Sequence, residues 1–303
     1  MKESICPLSN QICKERIKNL QSNPKGLLLL KKYLKLILKK GVLCPELFFN
    51  KNIDFAFFPR PSEEFLNHYY TFTEEKNIVE WRKFSYSSSM HETAYSIVKI
   101  ASEVEIFKMD FAKMKIMDYG CGTGWFSFAM LKKNKNIYAL DFNQDLLNYL
   151  KKESGGIING VLNTDLYKYK KFFDFVFSFD TFEHLSNPLQ EAKLIYSSLS
   201  DNGSCVIAVP NFNSYLFKID ISNHPYFSYP AHLNYFTSKS IKYMMQTAGF
   251  KKVKVFDTTF TWEKIYMMQE LYEKGLIKKK GWHLDDIWNE KGNGEHLICF
   301  CSK

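Results

Sequence analysis

Nowhere in this 303-residue chain do about eighteen apolar residues run without interruption, the length a membrane-spanning helix requires. The N-terminus, MKESICPLSN, lacks the apolar stretch of a secretory signal. Cysteine occurs seven times (Cys6, Cys13, Cys44, Cys121, Cys205, Cys299 and Cys301), an odd number with no framework of regular spacing. The paired C-x-x-C knuckles of a structural zinc site are missing, because Cys6 and Cys13 are seven apart and Cys44 has no close partner. No metal and no disulfide is expected, and a cytoplasmic setting fits best. Internal repeats and low-complexity tracts are absent as well.

Charge is also scarce where a nucleic-acid enzyme would need it. The net charge is +9, but residues 1–60 carry twelve Lys and Arg against four Asp and Glu. The remainder is close to neutral, which argues against a polyanionic substrate. What the chain has in quantity is apolar and aromatic residues, 46% and 17%. That is enough for a sizeable core and rules out wholesale disorder.

Three regions separate on pattern. Residues 1–60 read as a basic helical segment, and 61–110 as a helical approach. Residues 111–303 read as one α/β domain, with insertions at 211–236 and 257–293. Strand-like and helix-like segments alternate from about 114 to 256, the signature of a parallel sheet with crossover helices. Strands are predicted at 115–119, 136–141, 157–162, 172–179, 204–210, 251–257 and 296–303. Helices are predicted at 124–133, 144–152, 187–199 and 238–250, the last stopped by Gly249.

The first strand ends in Asp-Tyr-Gly-Cys-Gly-Thr-Gly and opens into a helix, so backbone N–H groups can approach a ligand there. Gly120, Gly122 and Gly124 give G-x-G-x-G, unlike the G-x-G-x-x-G of a pyrophosphate binder. Asp118 ahead of the loop suits an ammonium- or sulfonium-bearing ligand and disfavours a diphosphate. Asp141 closes the second strand, 21 residues after Gly120, where a carboxylate can accept ribose hydroxyls. Phe142 can pack on an adenine face, and Asp165 can accept its exocyclic amine.

The segments DYGCGTG, ALDFN, FDFVFSFDTFEHLSNP and GSCVIAVPN together resemble the successive motifs of class I S-adenosylmethionine-dependent methyltransferases. The resemblance covers about residues 95–256 and the last strand. It implies an α/β, Rossmann-like seven-stranded sheet, six strands parallel and one antiparallel, with helices on both faces and a mainly helical N-terminal extension. It implies S-adenosyl-L-methionine as cofactor, S-adenosyl-L-homocysteine as product, and in-line attack on the sulfonium methyl. Such catalysis rests on positioning and desolvation, at times with a base.

PRPSEEFLNHYY (59–70) and AHLNYFTSKSIKYMMQTAGF (231–250) are similar to a branch acting on small molecules, lipids, quinone precursors and sugars. In sugar C-methyltransferases a zinc-binding cysteine module precedes the same elements. Cys6 and Cys44 suggest that module in degenerate form. The same resemblance carries an active-site tyrosine onto Tyr86, and a Tyr-x-Glu-His pattern onto Tyr229 and His232 with Ala231 in place of its Glu. His184, in TFEHL just beyond strand four, faces the expected methyl position. Without the Glu, an imidazole assisting O- or N-methylation is easier to support than a carbanion route. Each of these residues also has a bland reading: His184 as a cap, His232 as a bonded structural histidine, Tyr86 as coincidence. His224 is a weaker candidate in the same insertion.

Residues 25–40, KGLLLLKKYLKLILKK, form an amphipathic pattern with Leu27, Leu30, Leu34, Ile37 and Leu38 on one arc. Such a helix can dock on the domain or on a partner subunit, or lie peripherally on an anionic membrane. The insertion at 257–293 holds Trp262, Trp282 and Trp288 and reads as a packing helix, a lid or a dimer contact, which leaves room for a homo-oligomer. Two other functions compete with a small-molecule methyltransferase: an RNA or protein methyltransferase gripping its partner through the basic segment, and a non-catalytic binding protein of the same fold.

Overall fold

A computed structural model describes residues 4–17, 46–62, 111–219, 221, 224, 226, 227, 229, 231–259 and 294–303. Its framework is a seven-stranded sheet built from β6 (Ile116–Tyr119), β7 (Ile137–Asp141), β8 (Asn159–Leu162), β9 (Phe173–Phe179), β10 (Leu199–Pro210), β12 (Lys252–Thr258) and β13 (His296–Ser302). The order across the sheet is β12-β13-β10-β9-β6-β7-β8. β13 runs antiparallel to both β10 and β12, while the described pairs among the others are parallel. The expected six-plus-one arrangement is therefore present.

Sequence explains each strand's place. FDFVFSF and IMDY are covered on both faces, and near-continuous apolar runs are what a central parallel strand requires. β12 alternates Lys252, Lys254 and Phe256 on its open side with less exposed Val253 and Val255, as an edge strand should. Helices α1 (Trp125–Met130), α2 (Gln144–Glu153), α3 (Pro188–Ser198) and α5 (Ser238–Ala248) cover the faces. α5 buries Ile241, Met244, Met245 and Ala248, a single stripe at helical spacing. It ends at Gly249, which takes the left-handed φ of 119° expected of a cap.

The chain runs β6, β7, β8 toward one edge and then crosses back to β9 on the other side of β6. The gap beyond the carboxyl ends of β6 and β9 is thus a topological switch point, where open α/β sheets bind ligands.

The N-terminal region departs from the helical expectation. Where described, it consists of strands: β1 (Ser4–Ile5) pairs with β2 (Ile12–Cys13), and β3 (Arg16–Ile17) with β4 (Leu47–Asn50). β5 (Phe55–Phe57) pairs with β4 on one side and with β11 (Asn234–Tyr235) on the other. The physical reason is the aromatic content of LFFN and FAF. Phe48, Phe55 and Phe57 stack on one another and on Phe236, with ring centroids 5.2–6.0 Å apart. The amphipathic segment 25–40, the approach at 63–110 and the insertion from 260 to 293 lie outside the described residues.

This small sheet binds the N-terminal region to the 211–236 insertion, which also carries the short helix α4 (Tyr215–Ile219). The Phe58 N–H donates to the Leu233 carbonyl at 2.9 Å, and the Asn213 side chain donates to Asp54 at 3.1 Å. Thr237 secures the seam. Its Oγ1 accepts from the Ser240 N–H in a reciprocal cap of α5 and donates to the Asp54 carbonyl at 2.7 Å. Thr237→Ala is expected to cost about 1–2 kcal/mol, the value of a lost N-cap. Urea denaturation checks it, and a loss under about 0.5 kcal/mol would show that the cap is not what secures this seam.

Candidate active site

The turn after β6 places three glycines at positive φ: Gly120 at 74°, Gly122 at 48° and Gly124 at 76°. Two of them are tight against neighbours. A Cβ on Gly120 would meet Thr181 Oγ1 at 2.3 Å, and one on Gly124 would meet Leu150 Cδ2 at 2.4 Å. Gly122 differs, because nothing lies within 4 Å of the Cβ it lacks. Its side of the loop is the face open to a ligand.

Asp141 sits beside that opening. One carboxylate oxygen accepts the Gly122 N–H at 3.1 Å and the other accepts the Asn143 N–H at 3.0 Å. Burial raises its pKa, and the backbone N–H groups of Asn143, Gly122 and Phe142 oppose the rise. The next residue, Phe142, is 54% exposed at the strand end, an unusual position for a large apolar ring and one that suits stacking. Asp165 lies on a 3₁₀ turn after β8, where its Oδ1 pairs with Lys168 at 2.6 Å.

Asp118 is turned beneath the loop. It accepts from both the N–H and the hydroxyl of Ser127, at 3.1 and 2.6 Å, and so ties β6 to the first turn of α1. Burial pushes its carboxyl up to about 7, with a smaller push from Asp141, against the lowering effect of the two Ser127 bonds. Among the described residues no cation lies beside these two buried acids, which makes the loop's surroundings suited to a positively charged donor.

The carboxyl end of β9 supplies the opposite wall. Asp180 has a φ of 47°, left-handed and strained for a residue with a side chain. Its Oδ1 accepts from His296 Nε2 at 2.8 Å. Thr181 follows, seated on Gly120, with its hydroxyl donating to the Phe179 carbonyl at 3.0 Å. Then Phe182–His184 form a single 3₁₀ turn. The His184 Nδ1–H donates to the Ala231 carbonyl at 2.8 Å, and the His232 Nδ1–H to the Tyr226 carbonyl at 2.7 Å. The two rings meet edge to face with centroids 4.7 Å apart.

Two of the sequence candidates, His184 and His232, are therefore brought together, both partly accessible. Burial lowers the pKa of each, and the neighbouring His184 lowers that of His232 further. Both are neutral imidazoles at pH 7, with the Nε2 lone pair available. Tyr229 instead packs its ring on Phe58 at 4.6 Å, and Tyr86 lies outside the described residues. His224 is buried against Glu295, its Nε2 3.0 Å from Oε2, and stacks on Phe217.

The residue that sequence reading passed over is Glu183. It is 1% exposed, and among the described residues neither carboxylate oxygen has a hydrogen-bond partner. Burial and the charge of Asp180 raise its pKa well above the carboxylate range. The only signal was its adjacency to His184 in TFEHL, since a lone Glu on a turn normally faces water.

With this geometry established, relatives become informative. A family profile described as a methyltransferase domain matches residues 91–255, more than half of the chain. The chain belongs to the methyltransferase domain family. Its seven-stranded sheet has the fold of an S-adenosylmethionine-dependent methyltransferase. The ubiquinone biosynthesis O-methyltransferase of Rickettsia canadensis is 29% identical over 121 residues, 39% of this chain and 50% of that protein. The malonyl-[acyl-carrier protein] O-methyltransferase 2 of Ilyobacter polytropus is 32% identical over 114 residues, 35% of this chain and 44% of that protein. The matches thus span about half the length of these relatives or less. Phosphoethanolamine N-methyltransferase 2 of Haemonchus contortus, solved with S-adenosyl-L-methionine, shares the fold at 17% identity and a TM-score of 0.52, covering 81% of this chain and 61% of that one.

The residues present fit the methyl donor. The open side of Gly122 would admit it, and the buried acids Asp118 and Asp141, bonded only to uncharged donors among the described residues, would favour its charge. When bound, the donor supplies an electrophilic methyl on a sulfonium.

Two predictions follow from the loop. Gly122→Ala should fold, at a cost of about 1–2 kcal/mol for a side chain at positive φ, yet lose donor affinity. Gly120→Ala should be the more destabilised, because Thr181 must move. Thermal unfolding with calorimetric titration separates the two variants, and the reverse order would contradict the assignment of the open face. Asp118 gives a pH signature. Its folded pKa of about 7 exceeds the ordinary 3.8, so between these values the folded state holds more protons and stability falls as pH rises. Asp118→Asn keeps an acceptor for Ser127 and removes this titration. Its stability relative to the parent should improve from pH 4 to 7; a constant difference would refute the buried-acid reading.

Proposed function

We propose that this enzyme methylates a hydroxyl of a small organic acceptor, with sugar and lipid-linked intermediates within its class. The observation that carries the reading is the pair of neutral imidazoles beside the donor loop. Each has its Nδ1–H committed to a backbone carbonyl, so each offers Nε2 to a proton on an acceptor. Thr181 couples their turn to Gly120, which keeps acceptor and donor in one chamber.

The donor would be held by Asp141 at the ribose, Phe142 and Asp165 at the adenine, and the Gly120, Gly122 and Gly124 backbone along its length. Asp118 would act from below, by fixing α1 and by its charge. Ala231 contributes only its carbonyl, so the base of a carbon-methylating route has no side chain there. Tyr229 would form part of the wall. The Rickettsia and Ilyobacter relatives, both O-methyltransferases by name, support an oxygen acceptor.

In the reaction, the hydroxyl oxygen attacks the methyl carbon as the carbon–sulfur bond breaks and its electron pair returns to sulfur. The hydroxyl proton passes to Nε2 of His184 or His232. Asp141→Ala is expected to weaken S-adenosylmethionine binding at least about tenfold. His232→Ala should leave binding within about threefold and lower kcat. Calorimetry and methyl-transfer assays against hydroxyl acceptors distinguish these effects, and equal losses of binding in both variants would contradict the assigned roles.

A further inference from the structure

We propose that Glu183, His184 and His232 form a binding site for one divalent transition-metal ion, which binds the acceptor oxygen. This inference rests on the hydroxyl-methylating reading and deepens it. The ligand atoms available from the three residues all lie within 4.8 Å of one another. His184 Nε2 is 3.8 Å from Glu183 Oε1. Metal bonds of about 2.0–2.2 Å bring ligand atoms to roughly 3–3.5 Å, so side-chain adjustments of an ångström or so complete the site.

Three independent features point to a cation. First, both oxygens of Glu183 are buried without a donor, a cost that a carboxylate sheds only through a proton or a cation. Second, both imidazoles donate Nδ1–H to main-chain carbonyls of the same loop, Ala231 and Tyr226. Such an outer bond fixes the tautomer and leaves Nε2 as the ligand, as in histidine–metal centres generally. Third, Asp180 is held at a left-handed φ next to the cluster, with its carboxylate bonded to His296 and to no lysine or arginine among the described residues, and adds negative charge there.

Two histidines and one carboxylate make a three-ligand set with open positions, the pattern of catalytic sites such as zinc's His₂Glu and not of closed structural ones. The absence of C-x-x-C pairs does not bear on it, because no thiol takes part. His184 and His232 are partly accessible, so an open position faces the acceptor side. An acceptor hydroxyl bound there would ionise more readily: its O–H bond breaks, the proton leaves to water, and the oxyanion takes the methyl as the methyl–sulfur bond breaks and its electron pair goes to sulfur. With the ion bound, each Nε2 lone pair serves the metal, and water takes the proton that the metal-free site passes to an imidazole.

The test uses the full chain, stripped with a chelator and first shown to be folded and to bind S-adenosylmethionine. Titrating with Mn²⁺ alone, while following the signal of the free ion by electron paramagnetic resonance, avoids the thiols, which prefer softer metals. We expect one Mn²⁺ per chain, with binding weakened at least about tenfold in Glu183→Gln and in His232→Gln. S-adenosylmethionine binding should change by less than about threefold in both. Where Glu183→Gln does not fold, the partly exposed His184→Gln takes its place. A parent that binds S-adenosylmethionine but takes up no Mn²⁺ would overturn the metal site and leave the methyltransferase intact. Undiminished uptake by the folded variants would overturn it too, by placing the ion elsewhere.

Discussion

The functional architecture depends on one close contact, Thr181 against Gly120. Any side chain on Gly120 would occupy the place of the Thr181 hydroxyl and methyl. Because glycine stands there, the ends of β6 and β9 approach at the switch point of the sheet. The contact joins two elements with different tasks: the donor loop opening on one side, and the turn bearing Asp180, Glu183 and His184 on the other. Catalysis by positioning requires that these two be held at a fixed separation. A rigid parallel sheet with a glycine-mediated weld provides that.

The second organising feature is electrostatic. Asp118, Asp141 and Glu183 are all buried, and no lysine or arginine neutralises them among the described residues. Buried carboxylates of this kind are raised in pKa and disfavour one another. A chamber built in this way is poorly satisfied by itself and attracts cationic ligands. The proposed sulfonium donor would meet that condition at the loop, and a divalent ion would meet it at Glu183. The β5–β11 pairing and the Thr237–Asp54 bond then join the N-terminal sheet to the segment that follows His232, across about 180 residues of sequence.

Most of the alternating segments were legible to within one or two residues, β9 and α5 because their periods are unambiguous, while α1 stops at Met130, three residues short of its expected end. β10 begins earlier than its apolar run, at Leu199, since that residue pairs with Phe173 before a register shift near Ser204. The N-terminal strands were not legible. LFFN and FAF are too short to carry a period, and their partner β11 lies far along the chain, so no local signal could reveal the pairing. Within the site, glycine spacing and strand-end acids were readable because the backbone demands them. Glu183 was hidden for the opposite reason: its importance comes from burial and from facing His232, and neither is a local property of TFEHL.

The central claim is that the donor's sulfur opens onto the two histidines across the Gly120–Thr181 contact. A crystal structure of the complex with S-adenosylhomocysteine tests this most directly. The account predicts the ribose on Asp141, the adenine beside Phe142, and the thioether sulfur turned toward His184 and His232. A sulfur facing away from both imidazoles, with a wall of packed side chains between, would contradict it.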